Sequence, residues 1–409
     1  MPFLNRAMPG LIAAAVLLCA TARAQPQPAP DAATPDAAAP APAAAVESVN
    51  DQALFLGGLP VPEGSPLAAL EQQKDWQDYA RQMAEDWKTA KGRRLEKMAA
   101  WTESELKPKI DPKANLFYFF GGPDGLSVSV LYPEAPVYIL CGLEPIGKVP
   151  PLAGLKPAAL GKALTNLRAS IRPIVRSSFF RTNEMAGDLT RTDLRGVLPL
   201  LYFFVARADA RLIDVKLIEL DDAGEVKELA DGETPSKGVP GARLRIKRAG
   251  ADKEQEIYYL RQNVENDILK NTPGFLAFHK KYAPANSFLK AASFILHNAK
   301  RFSVTRDFIV ENSLSVLQDD SGLPFHMLQK KTWNFVLYGK YLRPLPPFGG
   351  HLQDDLVKAF ATEPVQPLPF TTGYRHAGES NLVLALRKPP EAKPVEPAAP
   401  ADEKCEPAK

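Results

Sequence analysis

Four acidic side chains follow apolar runs or stand in polar loops, where acid–base chemistry is often located. Asp124 follows an aromatic run and two glycines, and Glu144 follows a second apolar run. Asp319 and Asp320 are adjacent in the polar loop that ends at Pro324. Neighbouring carboxyl groups can act as general acid, general base or nucleophile in hydrolysis. The same residues can equally cap turns, so the pattern defines candidates for catalysis and leaves both interpretations open.

Other catalytic motifs are weak or absent. The spacing S-x-x-K occurs at Ser287–Lys290 and again at Ser104–Lys107, as chance predicts in a chain rich in both residues, and there is no G-x-S-x-G. The sequence Gly121–Gly125 lacks a helix start that would direct amides at a phosphate, and no G-x-G-x-x-G is present. No cofactor is therefore predicted.

Metal binding is not indicated either. The five histidines lie at least 18 residues apart, so no closely spaced ligand pair exists. Calcium coordination by the loop around Asp319 is conceivable, but the twelve-residue calcium loop is missing.

The elements that must position the candidate residues are organised around residues 115–147. The runs Leu116–Phe120, Leu126–Tyr132 and Val137–Leu143 are predicted as strands, although the second could also be a short helix. Asp124 and Glu144 would then lie just past strand ends, where open sheets place their binding groups.

The remaining apolar periodicity predicts further helices and strands. A long N-terminal helix is predicted from an N-cap at Ser65 to Trp101, with three tryptophans on one stripe. Further helices are predicted at residues 156–178, 275–282, 286–298, 304–317 and 352–361, and strands at residues 211–220, 242–247, 256–260 and 380–387. The prediction is a mixed α/β or α+β fold, with a central mixed sheet and packed helices.

The chain termini differ in composition from the middle. Residues 1–24 have the features of a secretory signal peptide with cleavage near Ala24. Residues 25–48 and 389–409 are rich in proline and are predicted to be disordered. Residues 49–388 are predicted as one large globular unit with a possible sub-boundary near residue 262. A periplasmic or secreted protein without a transmembrane segment is expected.

Charge and cysteine content restrict the function classes. The sequence has 50 basic and 47 acidic residues, and loss of Arg6 and Arg23 with the leader leaves a nearly neutral chain. Such a balance argues against nucleic-acid binding. After cleavage only Cys141 and Cys405 remain, and a buried free thiol at Cys141 is favoured over a disulfide between them.

Several sequence blocks resemble a family of uncharacterised secreted bacterial proteins. The blocks are FYFFGGPDGL, GLEPIG, SFFRTN, LQDDSGLPF and SNLVLALR, in this order between about residues 112 and 388. The resemblance assigns no activity, but it implies that the blocks form one folded unit. Asn183 and Asn381 would then lie near the four carboxylates, and Ser321 and His326 are added as binding candidates.

Two functional hypotheses follow from the sequence. The first is a non-catalytic secreted or periplasmic binding protein for an unknown small molecule or envelope polymer. The second is a hydrolase that uses the loop carboxylates Asp124, Glu144, Asp319 and Asp320.

Overall fold

The computed structural model describes residues 47–179 and 193–389, which belong to one compact unit. The predicted leader, most of the Pro-rich segment that follows it, the C-terminal tail, Asn183 and Cys405 lie outside the described residues. Within the described part, no helix is long and apolar enough to cross a bilayer.

The described residues contain a mixed sheet with helices on both faces, which confirms the predicted fold class. The strands are β1 (Leu116–Tyr118), β2 (Val137–Gly142), β3 (Ala210–Leu220), β4 (Val226–Glu228), β5 (Val239–Arg248), β6 (Gln255–Arg261), β7 (Ala285–Leu289), β8 (Ser313–Gln318), β9 (Trp333–Gly339), β10 (Val365–Gln366) and β11 (Asn381–Arg387). The α-helices are α1 (Val49–Leu56), α2 (Lys74–Ala90), α3 (Glu96–Trp101), α4 (Gly125–Leu131), α5 (Pro157–Ser177), α6 (Leu198–Arg207), α7 (Asn266–Leu269), α8 (Gly274–Lys281), α9 (Ala299–Asn312) and α10 (Asp354–Thr362).

The sheet has the order β10-β9-β11-β8-β7-β1-β2-β6-β5-β3-β4. The five central strands, β6, β2, β1, β7 and β8, are parallel. Numbered along the chain, these five have the order 3-2-1-4-5, which is the order of doubly wound nucleotide-binding folds. On one side β11 runs antiparallel between β8 and β9, and on the other side β5 runs antiparallel between β6 and β3.

Alternate residues of the central strands pack on opposite faces of the sheet. Leu116 and Tyr118 of β1 belong to the core that also contains helices α1 to α6. Phe117 and Phe119 point into the other core, against helices α7 to α10. The short strand β1 is therefore buried on both faces and contributes side chains to both cores, as expected for a parallel sheet covered on each side.

The tryptophan stripe is helical, but the helix begins later than predicted. Ser65 lies in a turn, where its hydroxyl accepts from the Leu67 amide, and α2 starts at Lys74. A π-helical segment, Lys91–Leu95, which contains Gly92, joins α2 to α3. Trp76 and Trp101 are buried, as the stripe predicted.

Three predicted elements are wrong. In each of them the pattern of polar and apolar residues fits both the period of a helix and the period of a strand. Residues 126–132 form α4 rather than a strand, because Asp124 caps a helix start. Residues 286–298 form β7 and a 3₁₀ segment, Ala291–His297, rather than one helix. Residues 304–317 contain the end of α9 and then β8, so the predicted helix continues into what is a strand.

Candidate functional site

The candidate residues gather at the carboxyl ends of the central parallel strands. The chain runs outward from β1 to β2 and β6 on one side, and to β7 and β8 on the other. In open α/β sheets, the reversal of strand order leaves a crevice at this edge, which is where ligands bind. The loops that follow β1, β2, β7 and β8 carry Asp124, Glu144, Lys290 and the Asp319–Asp320 pair respectively.

Asp124 is the N-cap of α4. Its Oδ1 accepts from the Ser127 amide at 3.0 Å, the interaction that satisfies a free donor in the first helical turn. Its Oδ2 accepts from the Ser127 hydroxyl at 2.7 Å and from the Tyr118 hydroxyl at 3.1 Å. The sequence interpretation of Asp124 as a cap is therefore correct, but the residue is buried and has further partners.

Lys290 is the main partner of Asp124. It follows the last residue of β7, its side chain is only 2% exposed, and its Nζ lies 2.7 Å from Asp124 Oδ2. The same ammonium group donates to the Ser127 hydroxyl at 2.9 Å and to the Ser178 hydroxyl at 3.2 Å. Each of its three protons therefore has an acceptor.

The two groups of the pair shift each other's pKa in opposite directions. Burial is the largest single effect on Asp124 and would raise its pKa, but the charge and hydrogen bond of Lys290 together with two hydrogen bonds from Ser127 outweigh burial, so the pKa of Asp124 lies below its ordinary value. Burial lowers the pKa of Lys290, and the charge of Asp124 opposes this shift. Each charge thus compensates the other in a site from which water is excluded.

Arg94 is a second buried cation near Asp124. It lies in the π-helical segment and donates through Nη2 to the carbonyls of Ile174 and Val175, at 2.9 and 3.2 Å. Burial lowers the pKa of Arg94 to about 10, and the charge of Asp124 acts against this shift. Such π-segments often occur at functional sites.

Asp319 and Asp320 face different partners. Asp320 forms a two-pronged ion pair with Arg375, at 2.9 and 3.0 Å, and accepts from Asn381 Nδ2 at 2.9 Å. Asp319 accepts from the amides of Ser321 and Ala291, at 3.0 and 3.3 Å. Burial and, after it, the charge of Asp320 raise the pKa of Asp319 to about 6.

Gly373 brings a backbone turn against two groups of side chains, Lys290 with Asp124 and Asp319 with Asp320. Together with their hydrogen-bond partners, these residues form the polar cluster. It has a φ of +59°, and a Cβ placed there would lie 2.5 Å from Asp319 Oδ2 and 3.2 Å from Lys290 Cγ. Only glycine fits, because the position combines a left-handed conformation with a close approach. The segment between β10 and β11 therefore packs directly over Lys290 and Asp319.

Glu144 occupies the other half of the crevice. The Tyr259 hydroxyl contacts its backbone carbonyl at 2.9 Å and its Oε2 at 3.2 Å. A Cβ on Gly142 would lie 2.4 Å from the same oxygen, and one on Gly122 would lie 3.4 Å from it. Two glycines thus make room for this carboxylate, and among the described residues no hydrogen bond is made by its Oε1.

Two small cavities adjoin at Glu144. One, of about 40 Å³, is lined by Asp124, Lys290 and Phe179, and the other, of about 110 Å³, is lined by the ends of β2 and β6. They share Phe120, Gly122, Glu144 and Ala292 as lining residues. Asp124 and Glu144 thus line one cavity, whereas Asp319 and Asp320 line neither.

The other binding candidates are dispersed. Ser321 supports Asp319, and Asn381 supports Asp320, so both belong to the polar cluster. His326 lines a separate pocket of about 630 Å³ with His297 and His351. Within the ranges the structure describes, no group of three or more His, Cys, Asp or Glu side chains is arranged to hold a metal ion. Cys141 is a buried free thiol.

Sequence reasoning missed four residues of the cluster, namely Lys290, Ser127, Arg94 and Arg375. Lys290 appeared only within the S-x-x-K spacing, yet Ser287 bonds to Ser313 instead. The remaining signal was a lysine directly after the short run Ala285–Leu289, which is buried throughout. The expectation that Gly121–Gly125 lacks a helix start is wrong, because α4 begins at Gly125.

Comparison of the chain with protein-family models, with curated proteins and with solved structures finds no match in any of the three.

Proposed function

We propose that the protein binds a small molecule containing a nucleoside in the crevice between β1, β2 and β7. One observation carries the proposal: Glu144, whose Oε1 accepts no hydrogen bond from the described residues, stands at the end of β2 beside the glycine loop that follows β1. In sheets of the order 3-2-1-4-5, an acidic residue about 20 residues after the glycine loop binds the ribose hydroxyls. Glu144 has this position relative to Gly122.

Glu144 has the chemistry that a ribose requires. An ionised carboxylate accepts hydrogen bonds and offers two oxygens, which match the two neighbouring hydroxyls of a ribose. Tyr259 engages Oε2 and so fixes the orientation of the group, while Oε1 accepts no hydrogen bond from the described residues. Each hydrogen bond to a charged acceptor contributes about 1.5–3 kcal/mol.

Apolar side chains beside Glu144 suit a planar base. Leu143 is 57% exposed and Ile295 is 42% exposed, and both line the larger cavity. A base lying between them would cover apolar surface that is otherwise in water. The two cavities are smaller than a nucleoside, and the half-buried Phe120 lines both. The proposal therefore requires Phe120 to change its rotamer, so that the space its ring now fills connects the two cavities.

Equilibrium titration of the full chain with nucleosides tests the proposal. Adenosine, guanosine, cytidine and uridine are compared with their 2′-deoxy forms, using intrinsic tryptophan fluorescence and melting temperature as readouts. We expect at least one ribonucleoside to bind and to raise the melting temperature, with its 2′-deoxy form about tenfold weaker. Failure of every ribonucleoside to bind at millimolar concentration would refute the proposal.

A hydrolase that uses carboxylates is the alternative function that we propose for the same edge of the sheet. One observation favours it: the pKa of Asp319 is raised to about 6, a value suited to a general acid near neutral pH. The ion pairs of Asp124 and Asp320 favour it less, because each carboxylate is already neutralised. Hydrolysis of chromogenic glycosides or esters that is lost in Asp319→Asn would support it, and no turnover of either class would count against it.

We also propose that the chain is exported. The support is the leader-like composition of residues 1–24. Amino-terminal sequencing of the chain recovered from an expressing bacterium tests this, and we expect the mature protein to begin near Gln25. A product that retains the leader in the cytoplasm would contradict it.

A further inference from the structure

The glycine loop after β1 differs from a phosphate-binding loop in what its amides do. A phosphate site needs free backbone N–H groups directed at the ligand. Here the amides of Gly121, Gly122, Asp124 and Gly125 donate to the backbone carbonyls of Tyr118, Cys141, Gly121 and Pro123 respectively. Pro123 has no amide hydrogen. The loop therefore has no donor to offer from these five residues.

The start of α4 is also occupied. The Asp124 carboxylate accepts from the Ser127 amide and places a negative charge at the helix N-terminus. In other proteins a bound anion is stabilised at a helix N-terminus, because the helix dipole is positive there. In this protein the position is filled by the chain's own carboxylate, which would repel a phosphate.

Among the described residues that line the two cavities, no cation is free to compensate. Lys290 is the basic residue among the described residues that line the two cavities, and its three protons are used by Asp124, Ser127 and Ser178. The lining thus carries two carboxylates, Asp124 and Glu144, against one ammonium group. Arg94 also interacts with Asp124, but it lines neither cavity and donates to the carbonyls of Ile174 and Val175. The excess of carboxylates on the cavity lining itself therefore disfavours an anionic ligand group and favours a cationic one.

From these contacts we propose that the nucleoside carries an uncharged or cationic group at its 5′ carbon, such as a thioether or a sulfonium, and not a phosphate. This inference rests on the proposed nucleoside binding. In sheets of this order, the 5′ substituent of a ribose held at the end of the second strand lies at the glycine loop and the start of the helix that follows it. Here these are Gly121–Gly125 and α4, so the substituent meets Asp124 and a loop whose amides already donate to backbone carbonyls.

The test is a binding series on the wild-type full chain in which the 5′ group alone varies. The probes are adenosine, 5′-methylthioadenosine, S-adenosylmethionine, AMP and ATP. We expect the sulfonium and the thioether to bind at least as tightly as adenosine, and AMP and ATP to bind at least about tenfold more weakly. Tighter binding of AMP or ATP than of adenosine would overturn the inference while leaving nucleoside binding intact. If no probe binds, the proposed function fails, and this inference fails with it.

Ionic strength gives a second readout that needs no variant. Because repulsion between a phosphate and the cavity carboxylates is screened by salt, the ratio of AMP to adenosine affinity should rise between about 20 mM and 500 mM NaCl. A ratio that falls with salt would show net attraction of the phosphate and would contradict the inference.

Asp124→Asn removes the negative charge while retaining an N-capping side chain. We expect AMP to gain about tenfold relative to adenosine in this variant, because Lys290 is then uncompensated. Folding is checked by circular dichroism, and if the variant does not fold the salt series decides. An unchanged AMP to adenosine ratio in a folded variant would refute the role of Asp124.

Discussion

At the residue scale, Lys290 and Asp124 form a buried ion pair that connects two loops. Both side chains are 2% exposed, and each is the partner of a charge that would otherwise be unpaired in the protein interior. Removing one partner of such a pair costs far more than removing both, because a lone buried charge is left behind. The pair therefore specifies how the loops after β1 and β7 come together.

We expect Lys290→Met to lower the free energy of unfolding by about 3–5 kcal/mol, and the double variant Asp124→Asn/Lys290→Met to recover much of that loss. Urea denaturation followed by tryptophan fluorescence measures both. The control is Lys340→Met, which breaks an exposed pair with Glu379 and should cost at most about 1 kcal/mol. Equal losses in Lys290→Met and the control would contradict the assignment.

Asp319 should make stability depend on pH. Its pKa is raised to about 6 in the folded chain, so between about pH 4 and pH 6 the native state binds more protons than the unfolded state. This contribution to stability is fully present below about pH 4 and is lost as the pH rises through 6.

We therefore expect the unfolding free energy of the wild type to fall by about 2–3 kcal/mol more than that of Asp319→Asn between about pH 4 and pH 7. Denaturation curves of the two proteins at several pH values provide the measurement. Because all other groups are shared, their difference isolates Asp319. Two parallel stability profiles would show that its pKa is not raised.

At the scale of elements, the segment between β10 and β11 closes one side of the polar cluster. Thr372 contacts the Ser178 hydroxyl at 3.3 Å, Gly373 lies against Asp319 and Lys290, and Arg375 binds Asp320. This short, mostly irregular stretch thereby joins the end of α5 to the loops that follow β7 and β8. Its conformation depends on the glycine.

Gly373→Ala should destabilise the protein by more than about 2 kcal/mol, because it combines a positive φ with a close contact to Asp319. Gly378→Ala in the same segment is the matched control, since no heavy atom lies within 4 Å of its Cβ position. The control should change stability by less than about 1 kcal/mol. Similar melting temperatures for the two variants would contradict the packing described for Gly373.

The elements show where local sequence patterns are sufficient and where they fail. The apolar runs at β1 and β2 predicted both strands, because a strand buried on each face needs nothing but apolar residues. The sequence LSVSVL of α4 alternates like a strand, yet a cap at Asp124 and burial against α6 make it helical. Periodicity over six or seven residues does not separate the two cases.

At the scale of the whole molecule, strand order decides which loops meet. The sequence predicted that Asp124, Glu144 and the Asp319–Asp320 pair follow strands or helices, and the structure places them at one edge of the sheet. Strand order itself is a property of long-range pairing and cannot be read from local patterns. For this reason the motif search gave no support for nucleotide binding, whereas the order 3-2-1-4-5 supports the proposed nucleoside site.

Lys290 and Arg375 illustrate the same limit. Each is one of many basic residues in the chain, and neither lies in a motif that singles it out. Their importance comes from partners 166 and 55 residues away in sequence, Asp124 and Asp320. Burial and pairing, which select these two cations among all others, exist only in the folded chain.

The central claim is that Glu144 binds the ribose of a nucleoside, and a thermodynamic cycle by isothermal titration calorimetry tests it most directly. Adenosine and 2′-deoxyadenosine are titrated into the wild type, into Glu144→Gln and into the control Glu254→Gln. Glu254 is a suitable control because it precedes β6 and so lies at the opposite edge of the sheet. We predict that wild type and control prefer the ribonucleoside about tenfold, and that Glu144→Gln loses this preference together with at least about 1.4 kcal/mol of binding free energy. The same preference in all three proteins, or no binding of either ligand to the wild type, would contradict the account.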